Sequence, residues 1–199
     1  MAVSINRDRL EVQVERARAG GVLQADERDL KRILDPANRL RSIIDLGENG
    51  ESGEAFAELL VVRSGAPLRE RVGRVMIGRK PLVTYLGDRD VTTLSQVAIP
   101  EGVKAYPIFN VTFRRFRERN GLVSALKERR GLTVDEWLSL AFQFPQAVEH
   151  LPCPLFGSLS GEAIPIIFSD SLNGGTPTLG CTLAGAFSSD WNVPLCDRF

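Results

Sequence analysis

The sequence is poor in the residue types on which most enzyme and metal chemistry depends. Its 199 residues include one histidine, three cysteines, two tyrosines and two tryptophans. The odd number of cysteines and the lack of a CxxC pair argue against a disulfide framework and favour reduced thiols. The chain has no P-loop, no dinucleotide-binding glycine motif after a strand, no HExxH and no GxSxG. We therefore expect no cofactor, and whether the protein is an enzyme stays open.

Net charge and long apolar runs are lacking as well. The 25 basic and 25 acidic residues cancel to a formal charge of zero. A balanced chain has no overall attraction to nucleic acid or to an anionic membrane, so neither is the expected partner. No stretch approaches the length of a membrane span, and the charged N-terminus has no apolar signal region. We expect a cytoplasmic protein that binds a small molecule or another protein, with its oligomeric state open.

The first part of the chain predicts short helices. Leu10, Val14 and Ala17 recur at helical spacing, and two further short helices are predicted before position 46. The segment GENGESGE at 47–54 has nothing to bury and predicts a mobile loop.

An α+β domain is predicted after this loop. Strands are indicated at FAELLVVRSG from position 56, PLVTYL at 81–86, YPIFNVTF at 106–113, a hairpin within CPLFGSLSGEAIPIIFSDS and TPTLGCTLAGAF from position 176. The order predicts an α+β fold with N-terminal short helices, a mixed, largely antiparallel sheet and a C-terminal strand meander. We expect an N-terminal helical region at 1–46 and an α+β domain at 55–199, or one continuous domain.

One helix has a clear start signal. Thr133 followed by Glu136 forms a capping box, and Trp137, Leu140 and Phe144 then share one face. We expect this face to pack on the sheet.

In the strand at 106–113, simple alternation assigns the side chains to two faces. One face is predicted to carry Ile108, Asn110 and Thr112, and the other Phe109, Val111 and Phe113.

From about position 105 to the end, the chain resembles an uncharacterised, mainly actinobacterial protein family of unknown function. The resemblance is carried by LTVDEWLSLAFQFPQAVE, CPLFGSLSGEAIPIIFSDS, GTPTLGCTLAGA and a closing cysteine. It implies cysteines at Cys153 and Cys196, Gly-Ser at 157–158, Pro-x-Leu-Gly at 177–180 and Ala-Gly at 184–185. Cys181 departs by one position from the family's middle cysteine. The resemblance brings a fold but no activity.

The three cysteines allow two interpretations. In the predicted strand, one face carries Thr178, Gly180 and Thr182, and the other carries Cys181 together with two leucines. This placement predicts a buried, unreactive thiol. Cys153 and Cys196 are then expected to be the accessible ones. The alternative is a tetrahedral zinc site assembled from His150, Cys153, Cys181 and Cys196. A thiol nucleophile at Cys153 with His150 as its base is a further alternative.

The segment RRFRERNGLVSALKERR at 114–130 contains six arginines and one lysine against two glutamates. Such a run suits contact with phosphate groups, with Phe116 stacking on a base. A solvated helix face explains it equally well. We favour the solvated face.

Polar and aromatic residues near the ends of the C-terminal strands are candidates for a ligand pocket. They are Tyr106, Ser158, Glu162, Asp170, Asn173, Thr176, Asp190 and Trp191. Turns in a meander require the same residue types. A ligand pocket and a set of ordinary turn residues therefore both stay open as interpretations. The sequence thus predicts a binding or interaction protein of unidentified ligand, or alternatively a small cofactor-independent enzyme that acts on a metabolite in a pocket of the C-terminal sheet.

Overall fold

The computed structural model describes residues 10–19, 55–62, 65–88, 90–94, 97 and 105–198. The two helices predicted between 20 and 46, and the loop predicted at 47–54, lie outside these residues. The predicted α+β class is confirmed. The first predicted helix is also present, and its Val14 and Ala17 are buried.

Four α-helices and twelve strands occur within the described residues. The helices are α1 (Leu10–Ala19), α2 (Leu68–Gly73), α3 (Arg119–Glu128) and α4 (Val134–Gln143). The strands are β1 (Ala55–Val62), β2 (Met76–Ile77), β3 (Lys80–Pro81), β4 (Val83–Thr84), β5 (Thr92–Thr93), β6 (Ala105–Arg114), β7 (Arg130–Gly131), β8 (Cys153–Pro154), β9 (Ser158–Leu159), β10 (Ala163–Asp170), β11 (Thr176–Leu183) and β12 (Val193–Cys196).

The strands form two four-stranded sheets. One has the order β1-β6-β12-β7 and is antiparallel throughout. The other has the order β4-β11-β10-β8, with β4 parallel to β11 and the remaining pairs antiparallel. Two short pairs, β2 with β3 and β5 with β9, complete the pattern. The predicted hairpin is confirmed, because Ser160 and Ala163 exchange both backbone hydrogen bonds across a turn in which Gly161 has a φ of 58°.

Helix α4 begins at the predicted capping box. The Thr133 hydroxyl accepts a hydrogen bond from the Glu136 amide at 3.2 Å, and the Glu136 carboxylate accepts one from the Thr133 amide at 2.8 Å. Trp137 and Phe144 are buried in a core that both sheets share. The prediction that this face of the helix packs on the sheet is confirmed.

Two strands are buried on both faces. In β10, Ile167 belongs to the main core, whereas its neighbour Ile166 packs in a second cluster beneath α3. In β12, Cys196 faces the main core and Leu195 faces the second cluster. These strands therefore join the two apolar clusters.

The predicted alternation of β6 is wrong beyond its middle. Tyr106 and Ile108 face the core as a regular strand requires, but so do Val111 and Phe113. The cause is Asn110, whose φ of 51° lies in the left-handed region and shifts the alternation by one residue. Asparagine is among the non-glycine residues that adopt this conformation most readily.

The predicted order of cysteine burial is also wrong. Cys181 is exposed, whereas Cys153 and Cys196 are buried. Leu179 is in the core as predicted, but Leu183 on the same face of β11 is 77% exposed. The core therefore ends at Leu179, and the rest of the strand extends beyond it. The alternation of side chains along a strand shows which face a residue lies on, but it does not show how far along the strand the rest of the protein covers that face.

The outer edge of β1 is closed by side chains. The Leu60 amide donates to Gln13 Oε1 at 2.8 Å, and the Leu60 carbonyl accepts from Gln143 Nε2 at 2.7 Å. The Val62 amide donates to Ser139 Oγ at 3.0 Å. Helices α1 and α4 thus provide the hydrogen bonds that a neighbouring strand would otherwise make.

Among the described residues, no helix has the length and apolar character needed to cross a membrane.

Candidate functional site

The eight predicted pocket residues lie in several separate places. Two of them support the start of α4: Ser158 Oγ accepts a hydrogen bond from the Val134 amide at 3.0 Å, and Tyr106 donates to Glu136 Oε1 at 3.2 Å. Both residues are buried. Burial and the nearby Glu136 carboxylate raise the pKa of Tyr106. The surroundings of these two residues indicate a structural role.

Asp170, Asn173 and Thr176 do come together, at the turn between β10 and β11. Asp170 Oδ2 accepts hydrogen bonds from the Tyr85 hydroxyl at 2.8 Å and from Asn173 Nδ2 at 2.6 Å. Thr176 Oγ1 donates to the Asn173 carbonyl at 2.7 Å. The hydrogen bond from Tyr85 lowers the pKa of Asp170 and raises that of Tyr85. Asp170 also accepts from the Leu172 amide at 3.0 Å, so this cluster holds the turn together.

The other three pocket candidates are further apart. Trp191 is buried in the second cluster, with ring centroids 6.3 Å from Phe187 and 6.1 Å from Phe156. Asp190 and Glu162 are exposed, and Glu162 lies in the hairpin turn. The two aromatic pocket candidates, Tyr106 and Trp191, belong to different apolar clusters. A role for these residues in ligand binding stays a prediction.

The arginine run divides between the interior and the surface. Arg130 is buried and makes a bidentate ion pair with Glu136, at 2.7 and 2.8 Å. Arg129 donates to Thr112 Oγ1 at 2.6 Å and to the Asn110 carbonyl. Two of the charges that suggested a phosphate-binding surface therefore hold the fold together.

The four candidate zinc ligands do not form a metal cluster. No group of three or more histidine, cysteine, aspartate or glutamate side chains suited to a metal ion is found in the part of the chain that the structure describes. Burial raises the pKa of Cys153 and Cys196, and the Trp137 indole offsets part of the rise at Cys153. His150 and Cys181 are exposed. A buried thiol with a raised pKa is a poor nucleophile and a poor zinc ligand.

A groove opens at the end of β1, between α2 and α4. Its cavity volume is about 50 Å³, and the groove is partly open to solvent. The groove is lined by Ala17, Val62, Arg71, Arg74, Val75, Asp135, Leu138, Ser139, Phe142 and Gln143.

One face of α4 forms a wall of this groove. Asp135, Leu138, Ser139 and Phe142 follow the three- and four-residue spacing of a helical face, next to the face that packs in the core. Phe142 is 42% exposed, a large aromatic surface left in contact with water. Leu138 and Phe142 form a second apolar pair on α4, four residues apart, and this pair was the signal in the sequence for the groove. The prediction from the sequence considered only the face with Trp137, Leu140 and Phe144 and so missed it.

Polar side chains of the groove are largely engaged with the fold. Ser139 and Gln143 bind the edge of β1, as described above. Arg71 forms an ion pair with Asp135, which joins α2 to α4 across the groove. Arg74, directly after the end of α2, pairs with Glu70 of that helix. The surface that the walls leave open to a ligand is therefore mostly apolar. The two arginines, Arg71 and Arg74, lie on the α2 side of the groove.

Comparison of the chain with protein-family models, curated proteins and solved structures finds no match. The class that the fold and the groove define is an α+β protein with a candidate ligand-binding groove.

Proposed function

We propose that the protein binds an apolar ligand in the groove between α2 and α4. The observation that carries the proposal is the exposed side chain of Phe142, which projects from a helix whose other aromatic, Trp137, is fully buried. Exposed aromatic surface that lines a concave site is typical of ligand binding.

Binding is favoured over catalysis by the chemistry of the walls. Among the described residues that line the groove there is no histidine or cysteine, and Ser139 accepts a hydrogen bond from the backbone of β1. Nucleophilic catalysis requires a hydroxyl or thiol within hydrogen-bond reach of a base. The enzyme alternative, in a pocket of the C-terminal sheet, is less well supported because its candidate residues are dispersed.

We further propose a cytoplasmic location and membership of the actinobacterial family that residues 105–199 resemble. Three free cysteines suit a reducing compartment. The Gly-Ser at 157–158 and the Pro-x-Leu-Gly at 177–180 support the family assignment.

The proposed function can be tested with a neutral fluorescent probe and a matched pair of variants. N-phenyl-1-naphthylamine fluoresces when it enters an apolar site, and we expect it to bind the wild-type protein with micromolar affinity. Phe142→Glu places a charge in the groove and should weaken binding about tenfold or more. Val123→Glu on α3 is the control, because Val123 is 44% exposed, close to the 42% of Phe142, and lies outside the groove.

Two outcomes would contradict the proposal. One is no measurable binding of the probe by the wild-type protein. The other is equal weakening by Phe142→Glu and Val123→Glu, which would place the probe elsewhere.

A further inference from the structure

Three arginines at the surface contribute no side-chain contact to the fold. Arg115, Arg117 and Arg119 are exposed, and within the described residues none of their side chains makes an ion pair or a hydrogen bond. The two arginines at the far end of the same run are engaged with the fold, as described above. We call Arg115, Arg117 and Arg119 the basic surface.

The fold concentrates these charges in a short connection. β6 ends at Arg114 and α3 begins at Arg119, so the other two arginines of the basic surface lie between the strand and the helix. There Phe116 packs against the second cluster and attaches the connection to the protein. Residues 115–119 carry three positive charges and one negative charge, a net charge of +2 in a chain whose formal net charge is zero. Because the helix face expected from the sequence begins only after this connection, pairing along a helix does not neutralise it.

Arg119 occupies a position that disfavours a cation. It is the first residue of α3, and the first turn of this helix contains no acidic residue. Glu118 precedes it at the N-cap, but the Glu118 side chain makes no capping hydrogen bond. The start of a helix carries partial positive charge, so a cation there is destabilising.

The other side of Arg119 provides no anion either. A Cβ atom on Gly185 would lie 4.0 Å from Arg119 Nη2, so the guanidinium group lies near this glycine. Gly185 belongs to the stretch 176–189, which contains no charged residue. The described part of the chain therefore supplies no carboxylate partner for Arg119.

We propose that the basic surface binds an acidic segment of a partner protein, whose aspartate or glutamate carboxylates pair with the three arginines. Arginine suits this partner because its planar guanidinium group binds a carboxylate through two parallel hydrogen bonds. The basic surface contains none of the residues that line the groove, so the inference is independent of the proposed ligand binding.

The surroundings favour an acidic protein segment over a nucleic acid. Phe116 packs against the protein and so does not present its ring for stacking on a base. Glu118 lies among the arginines and would repel a continuous row of phosphates, whereas a protein segment can place an uncharged residue opposite it. A chain of zero net charge has no long-range attraction to a polyanion, so the binding depends on local pairing.

A labelled acidic peptide tests the proposal on the intact chain. Fluorescein-labelled decaglutamate is titrated with the protein and followed by fluorescence anisotropy. At about 20 mM salt we expect a Kd on the order of 10 µM. At about 200 mM salt the binding should weaken severalfold, because salt screens ion pairs at the surface.

Two triple variants that remove the same charge locate the binding. The first replaces all three arginines of the basic surface with glutamine and should weaken binding of decaglutamate about tenfold or more. The second is the control and should keep the Kd within about twofold. It replaces three exposed arginines elsewhere on the surface: Arg18→Gln, Arg69→Gln and Arg79→Gln.

The melting temperature separates a binding role from a structural one. The Tm of the first triple variant should be no lower than that of the wild type, because the variant removes a cation from the start of α3. A fall in Tm of more than about 4 °C would show that the arginines serve the fold and would overturn the proposal.

A labelled deca-thymidylate, measured in the same way, tests the nucleic-acid alternative. Tighter binding of this oligonucleotide than of decaglutamate would assign the basic surface to a nucleic acid and overturn the proposal. No binding of decaglutamate at about 20 mM salt, or equal weakening by the two triple variants, would also overturn it. The probe assay of the groove is separate, so each of these results leaves the proposed function standing.

Discussion

Replacing Gly157 with alanine should lower the free energy of unfolding by about 3 kcal/mol, because two backbone segments cross at this point. A Cβ atom on Gly157 would lie 2.5 Å from the Gly131 carbonyl oxygen, 2.7 Å from the Leu132 carbonyl carbon and 2.8 Å from the Thr133 amide nitrogen. All three atoms belong to the backbone, so no side chain can rotate away. The backbone has to move instead.

The size of the effect follows from what that movement disturbs. Overpacking at a rigid site costs about 1 to 3 kcal/mol. The Gly157 amide also donates to the Leu132 carbonyl at 3.0 Å, and its carbonyl accepts from the Leu94 amide at 3.1 Å. Weakening these bonds adds about 1 kcal/mol. A loss of 3 kcal/mol corresponds to a fall in Tm of about 6 to 12 °C for a chain of this size.

Gly121→Ala is the matched control. Gly121 is exposed within α3, and its nearest neighbour for a Cβ atom is Phe116 Cδ1 at 3.6 Å, an ordinary contact. Alanine in a helix should stabilise the protein by about 0.5 to 1 kcal/mol. Both variants reduce the freedom of the unfolded chain in the same way, so their difference isolates the clash. Urea titrations measure both, and a loss at Gly157 below about 1 kcal/mol would refute the reasoning.

Two further predictions concern the cysteines. In the native protein a thiol reagent should label Cys181 first, because Cys153 and Cys196 are buried. Cys181→Ser should therefore remove the fast phase of labelling. Labelling of Cys153 or Cys196 before Cys181 would contradict their burial. The free energy of unfolding should also fall as the pH rises from about 8.5 to 10, because burial raises the pKa of Cys153 and Cys196 whereas unfolded thiols ionise near pH 8.5. For each buried thiol the slope should approach about 1.4 kcal/mol per pH unit at the upper end of this range. Denaturant titrations of the wild type and of a Cys153→Ala, Cys196→Ala variant should show a shallower decline in the variant, and equal slopes would refute this assignment.

Features encoded by neighbouring residues could be predicted from the sequence. The start of α4 depends on Thr133 and Glu136, which are three residues apart, and both hydrogen bonds of the capping box are present. The turn between Ser160 and Ala163 depends on one glycine with positive φ. In each case a few adjacent residues contain the whole physical reason for the local structure.

The groove depends on residues that are distant in sequence. Ser139 meets Val62 across 77 positions, and Arg71 meets Asp135 across 64. No periodicity within a single element shows that these residues meet. The prediction that Cys181 is buried was wrong for a related reason. Whether this part of β11 is covered depends on how far other helices and strands extend along it, and those elements are distant in sequence.

The hydrogen bonds from α1 and α4 to β1 have a consequence for the behaviour of the protein in solution. A truncated protein that begins after Ala19 keeps every strand described here but loses Gln13, which accepts the hydrogen bond of the Leu60 amide. An open strand edge recruits strands from other chains and so promotes aggregation. Because α4 binds the Leu60 carbonyl and the Val62 amide, α1 completes the cover of this edge by binding the Leu60 amide, and the complete cover disfavours pairing of one copy of the chain with the next.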